Sequence, residues 1–115
     1  MKTLHKGQFA ERKACQYLQQ QGLTLIEKNY RCRNGEIDLI MQDKDHLVFV
    51  EVRYRKNENY GTAIDTVDRN KVKKIVSTAQ HYLISHQLDV PARFDIVGFD
   101  TSLNPKWISD AFSAY

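Results

Sequence analysis

Residues 35–55 constrain the fold more than any other stretch of this chain. GEIDLIM at 35–41 alternates Ile37, Leu39 and Met41 against Glu36, Asp38 and Ile40. A turn-rich DKD within 42–46 interrupts it, and LVFVEVRYR resumes the alternation. The pattern predicts the two strands of an antiparallel hairpin. In the second strand Val48, Val50, Val52 and Tyr54 point one way, and Phe49, Glu51, Arg53 and Arg55 point the other. Such a hairpin needs further strands beside it and a layer on each apolar face.

The rest of the chain supplies both. Over residues 5–21 the apolar positions Ala10, Ala14, Tyr17 and Leu18 recur at helical spacing and Gly22 follows as a stop. Residues 23–30, LTLIEKNY, suit a strand, and 31–34 read as a turn into Gly35. Residues 57–67 read as a loop around Gly61. Asp68 then caps a second helix, whose stripe of Val72, Ile75, Val76, Ala79, Tyr82 and Leu83 runs to about Gln87. Pro91 opens a strand, ARFDIVGFD, and Asn104-Pro105 turns into a last one, KWISDAF. The expected fold class is α/β, a mixed sheet flanked by two helices in the order αβββαββ. At 115 residues, one domain spanning 1–115 is expected.

Composition narrows the function classes. With 42% hydrophobic and 27% charged residues of both signs, the chain is too apolar for disorder. Its longest apolar run, 47–50, is far short of a membrane span, and the polar start MKTLHKGQ lacks a signal-peptide core, so a cytoplasmic protein is expected. Cys15 and Cys32 have neither CxxC spacing nor a histidine pair and read as idle or buried thiols. The net charge of +3 says little. Its distribution says more, because Lys28/Arg31/Arg33, Arg53/Arg55/Lys56 and Arg69/Lys71/Lys73/Lys74 hold ten of the 17 basic residues, a clustering suited to a phosphate backbone or to a solvated face.

The acids are the anomaly. Glu36, Asp38 and Glu51 sit among Ile, Leu, Val and Phe, where an ionised carboxylate is costly unless a cation compensates it. Any hairpin connection with an even number of residues pairs positions whose numbers sum to 89, setting Asp38 opposite Glu51 and Glu36 opposite Arg53. Two carboxylates at a Cβ separation of about 5 Å suit an oxygen-ligated divalent metal. An ion-pair ladder, with Arg53 and Arg55 neutralising the three acids, satisfies the same spacing. Glu11 lies at the edge of the first helix's apolar stripe, where a third carboxylate reaches the same corner or pairs at the surface.

These residues carry a resemblance. GEIDLI at 35–40, VFVEVRYR at 48–55, Gly7-x3-Glu11-x2-Ala14, and Lys71 ahead of Ala79 and Leu83 resemble the bacterial YraN-like uncharacterised family (UPF0102) over nearly the whole chain. That family looks like a small member of the PD-(D/E)xK nuclease superfamily, close in layout to Holliday-junction resolvases. The resemblance implies the restriction-endonuclease-like fold and a one- or two-metal site. Asp38 matches the first motif acid, Glu51 the second, and Glu11 the helix-one glutamate of the resolvase-like branch. Two positions depart from the pattern: Ile37 stands where the motif has Pro, and Arg53 where it has Lys. An arginine stays charged, so it stabilises a transition state but does not deprotonate water.

The expected function is therefore metal-dependent hydrolysis of DNA phosphodiester bonds, in branched or structured DNA by analogy with resolvases. Mg²⁺ or Mn²⁺ would be held by Asp38, Glu51 and the Val52 carbonyl. Glu11 would orient a metal-bound water or complete the shell, and Arg53 would neutralise the scissile phosphate. Arg31, Arg33, Arg55, Lys71 and Lys74 would hold the flanking backbone. Resolvases of this layout act as dimers, which makes a homodimer plausible. The alternatives are a nucleic-acid-binding module of the same fold that has lost hydrolysis, favoured by Arg53, and a scaffold that touches no nucleic acid.

Overall fold

The computed structural model describes residues 5–54 and 67–114, with side chains from Gly7 onward. The loop expected around Gly61, together with Arg55 and Lys56, lies outside the described residues. The element order is α1 (His5–Gln20), β1 (Thr24–Cys32), β2 (Gly35–Asp43), β3 (His46–Tyr54), α2 (Arg69–Ser85), β4 (Ala92–Phe99) and β5 (Pro105–Phe112). The fold is α/β, and the order αβββαββ matches the sequence expectation. The five strands form one mixed sheet in chain order, β1-β2-β3-β4-β5. β3 and β4 run parallel and every other pair is antiparallel. A parallel neighbour needs a crossover, and α2 lies in the one between β3 and β4.

The two helices cover opposite faces. Ala10, Ala14 and Leu18 of α1 pack with Leu39, Met41, Val48, Val50, Val97 and Phe99. Ile75, Ala79 and Tyr82 of α2 pack with Ile37, Ile40, Leu47, Phe49 and Phe94. The predicted alternation of β3 is thus realised, with Val48 and Val50 under α1 and Leu47 and Phe49 under α2. Burying a large apolar side chain contributes roughly 1.5–3 kcal/mol, so these two clusters supply most of the drive to hold the layers together. No helix among the described residues is long and apolar enough to cross a membrane.

Local signals act where the sequence puts them. At the end of α1, Gly22 adopts φ +103°, Leu23 N–H donates to Leu18 O at 3.0 Å and Gly22 N–H to Gln19 O at 3.0 Å, the paired bonds of a Schellman end. Asp68 Oδ1 accepts from Lys71 N–H at 2.9 Å, capping α2 as predicted. β1 runs two residues past its expected end, because Arg31 pairs with Glu36 and Cys32 with Gly35 across a tighter turn than the one expected over 31–34. That turn sits against α2. A Cβ on Gly35, at φ +152°, would lie 2.9 Å from Thr78 Oγ1, so glycine is what lets the turn approach the helix.

The far end of the sheet is locked by a buried ion pair. Asp95 is fully buried and accepts from Arg93 Nε at 3.1 Å, Trp107 Nε1 at 2.9 Å and the Asp110 N–H at 2.9 Å. Arg93 also reaches Asp43 Oδ2 at 3.0 Å, tying β4 to the β2–β3 turn. With its oxygens taken by donors from β4 and β5, Asp95 is a structural acid rather than a reactive one.

Candidate functional site

The hairpin register is the one that parity requires. Leu39 pairs with Val50, Met41 with Val48 and Asp43 with His46, each pair summing to 89, across the two-residue turn Lys44-Asp45. The ladder ends at Leu39 and Val50. Neither predicted cross-strand pair, Asp38 with Glu51 or Glu36 with Arg53, belongs to the ladder, because the strands part beyond Leu39 and Val50. Instead Glu36 Oε1 lies 3.4 Å from Arg31 Nε, and Arg53 Nη1 bonds Glu51 Oε2 at 3.1 Å.

The parting is local to Asp38. Ile37 packs on the α2 side with Ile40, whereas Leu39 and Met41 pack on the α1 side, so β2 turns over at Asp38 and the strict alternation expected across 37–41 is broken. On the opposite edge of β2 the β1 register passes from Lys28↔Leu39 to Tyr30↔Ile37, flanking Asn29 at φ +53°. The Asp38 carboxylate fills the fork left between β2 and β3. Its Oδ2 accepts the Val52 N–H at 2.8 Å, a main-chain donor that regular pairing would have used. A strand residue's N–H and C=O project from the same edge, so the Val52 carbonyl opens on the same fork.

Three carboxyl groups from three elements converge there. Asp38 lies close enough to Glu51 of β3 and to Glu11 of α1 for its charge to raise both. Carboxyls crowded in this way favour a proton, or a cation, between them. Burial, reinforced by the neighbouring Asp38 charge, pushes Glu51 up to about 7 from an ordinary 4.5, against the pull of Lys71 and Arg53. Glu11 is likewise pushed up to about 7, by burial and then by Asp38, with the Asn29 amide opposing. Burial also raises Asp38, while the Val52 N–H restrains the shift. Glu51 is only 3% exposed, which makes its charge the costliest of the three.

Among the described residues, two cations face this group. Arg53 bonds Glu51, and Lys71 Nζ, from the first turn of α2, lies 3.6 Å from the same Glu51 Oε2. The sequence placed Lys71 with the flanking basic residues, and the fold brings it to the acids themselves. Lys74, one turn further along α2, lies beside Gly35 at the β1–β2 turn that carries Arg33, and Arg31 pairs with Glu36. Arg31, Arg33, Lys71 and Lys74 therefore border the end of the sheet that holds the acids. Asn29 was not anticipated as part of this site. A single Asn in a strand pattern carries no signal by itself, and only its left-handed φ opposite Asp38 reveals it.

The donor set around the fork is all oxygen: two carboxylates and a main-chain carbonyl, with Glu11 adjoining. Hard divalent cations such as Mg²⁺ and Mn²⁺ prefer that chemistry, and crowded acids held near neutrality fit a site that charges fully when such an ion enters. Among the described residues no group of three or more acidic, histidine or cysteine side chains is placed to hold a metal ion, so any ion at the fork would rest on Asp38, Glu51 and the main chain, with Glu11 outside its reach as placed.

Comparison with known proteins agrees with the reach of the sequence motifs. Residues 10–99 match the profile of the family described as "Uncharacterised protein family UPF0102". A "UPF0102 protein" of Psychromonas ingrahamii is 51% identical over 108 residues, covering 93% of this chain and 88% of the relative. One from Nitrosomonas eutropha is 50% identical over 110 residues, with 96% and 95% covered. One from Legionella pneumophila strain Philadelphia 1 is 44% identical over 115 residues, with 97% and 98% covered. The matched span includes Glu11, Asp38, Glu51, Arg53 and Lys71, and the chain belongs to the UPF0102 family.

Proposed function

We propose that this protein is a metal-dependent phosphodiesterase acting on DNA, with branched or structured DNA as its substrate class. The observation that supports it is the convergence of Glu11, Asp38 and Glu51 at the fork between β2 and β3, with the Val52 N–H bonded to Asp38 at 2.8 Å. A hairpin carrying two acids beside a helix carrying a third is also what the resemblance of the sequence motifs to PD-(D/E)xK nucleases and junction resolvases leads one to expect. Fold likeness raises the prior, and the site has to carry the chemistry.

In this reading Asp38, Glu51 and the Val52 carbonyl hold Mg²⁺ or Mn²⁺. When bound, such an ion would supply Lewis-acid activation of water and phosphate, so that no lysine base would be needed. Glu11 orients the attacking water from the α1 side. Arg53, anchored on Glu51, stabilises charge that develops on the phosphate oxygens. Lys71 offsets the charge of Glu51 from the α2 side and, with Arg31, Arg33, Lys74 and Arg55, holds the flanking backbone by charge rather than by base contacts, so sequence specificity is low. Cutting both strands of a junction needs two such sites, which a homodimer provides.

The second reading, a nucleic-acid-binding module without hydrolysis, draws on Arg53 and Lys71. Both already compensate Glu51, as in an ion-pair ladder. Incubating the protein with labelled four-way-junction and linear DNA, in Mn²⁺ and in Ca²⁺, separates the readings. Cleavage of the junction in Mn²⁺ supports the phosphodiesterase. A mobility shift without cleavage in any metal supports the binding module, and neither response overturns both.

A further inference from the structure

Asn29 holds a position that its place in β1 does not require. Its backbone is left-handed, φ +53°, directly across from the point where β2 turns over at Asp38. A non-glycine residue reaches that region at some cost, and Asn reaches it more readily than most. What the side chain does there is specific. With the amide nitrogen turned toward the acids, as facing carboxylate oxygens demand, it lies 3.1 Å from Glu11 Oε1 and 3.3 Å from Glu36 Oε2. One NH₂ group thus bridges a carboxylate on α1 and a carboxylate on β2. Without the bridge Glu11, in the second turn of α1 and half-buried, faces Asp38 and Glu36 across like charge, and its side chain is free to turn toward solvent.

We propose that Asn29 is a positioning residue that holds the Glu11 carboxylate against Asp38, beside the oxygen donor set at the fork. The inference rests on the metal-site reading above and adds to it the group that fixes the helix-borne acid. An outer partner that orients a metal-binding carboxylate is commonly worth about ten- to a hundredfold in metal affinity. A turn residue chosen only for its backbone conformation would be worth nothing there.

Asn29→Gly separates the two roles, because glycine keeps the left-handed backbone and deletes only the amide. Mn²⁺ titration by calorimetry is run on wild type, Asn29→Gly, Glu11→Gln and the double variant, with a thermal melt of each and an electron paramagnetic resonance spectrum of the bound Mn²⁺. The expected result is a loss of about tenfold in Mn²⁺ affinity for Asn29→Gly. Its melting temperature stays near that of wild type, its Mn²⁺ spectrum resembles that of Glu11→Gln, and Asn29→Gly has no further effect once Glu11 is Gln. Wild-type affinity and spectrum in Asn29→Gly overturn the inference while leaving the metal site standing, as does an equal loss in the presence and absence of Glu11. Absence of Mn²⁺ binding by wild type overturns the metal-site reading and the inference with it.

Discussion

At the scale of single residues, the account turns on carboxylates kept where a core would exclude them. Asp38 is the pivot, since its charge raises both Glu11 and Glu51. Asp38→Asn should abolish divalent-metal binding yet leave the fold intact or more stable. Its amide oxygen can still accept the Val52 N–H, and one of three crowded acids is gone. Mn²⁺ calorimetry with a thermal melt checks this, and unchanged metal affinity with a large loss of stability would favour an ion-pair ladder instead. The raised acids also set a pH dependence. Glu51 titrates near 7 folded and near 4.5 unfolded, so between those values the native state holds more protons. Stability therefore falls as pH rises from about 4.5 to about 7 and levels off above. Glu11 and Asp38, raised in the same direction, add to it. Denaturant melts across that range should show the decline, and Glu51→Gln should make it shallower. A stability that rises through the same window would contradict the placement of these groups.

At the scale of elements, the anchor at the far end of the sheet carries the sharpest stability prediction. Asp95→Ala removes the carboxylate that Arg93, Trp107 and the Asp110 N–H share, leaving Arg93, among the described residues, with Asp43 in a largely buried setting. Breaking a buried pair in this way typically costs about 3–5 kcal/mol, readable as a lowered denaturation midpoint. A change under 1 kcal/mol would mean that the network is replaceable. The sequence revealed the elements but not this anchor. Alternation exposed β2 and β3, Gly22 and Asp68 marked helix ends, and the parity of the hairpin fixed its register at 89, because each is a short-range constraint written in consecutive residues. Arg93 and Asp95 share a face of β4 by strand periodicity, but Trp107 and Asp43 reach them only through the pairing of neighbouring strands, which periodicity does not encode. Likewise, Asp38 and Glu51 were legible as candidates because acids in an apolar strand are costly and therefore conspicuous, Glu11 because it borders the apolar stripe of its helix, and Arg53 because it shares a strand face with Glu51. The turnover of β2 at Asp38, the failure of Glu36 to meet Arg53, the arrival of Lys71 and the bridge from Asn29 were not. All four follow from where the strands part, a tertiary event.

At the scale of the whole molecule, the sheet has two ends with different purposes. One is closed by the Asp95 ion pair and the Lys44-Asp45 turn. The other opens at the fork, where acids lie inside and Arg31, Arg33, Lys71 and Lys74 stand around them, although the net charge is only +3. A basic border around an acidic centre suits a polyanion whose phosphate is brought to a metal, and it suits shape recognition better than base reading. The most direct test of this account is single-turnover cleavage of a labelled four-way junction in Mn²⁺ by wild type, Asp38→Asn and Arg53→Ala, beside binding in Ca²⁺. The account predicts cleavage by wild type and none by Asp38→Asn. For Arg53→Ala it predicts a rate lowered by about two to three orders of magnitude with junction affinity nearly unchanged, the signature of a charge-stabilising donor used in the transition state. Wild type that binds the junction but cuts no DNA structure in any metal, or Asp38→Asn that cuts as fast as wild type, would contradict it.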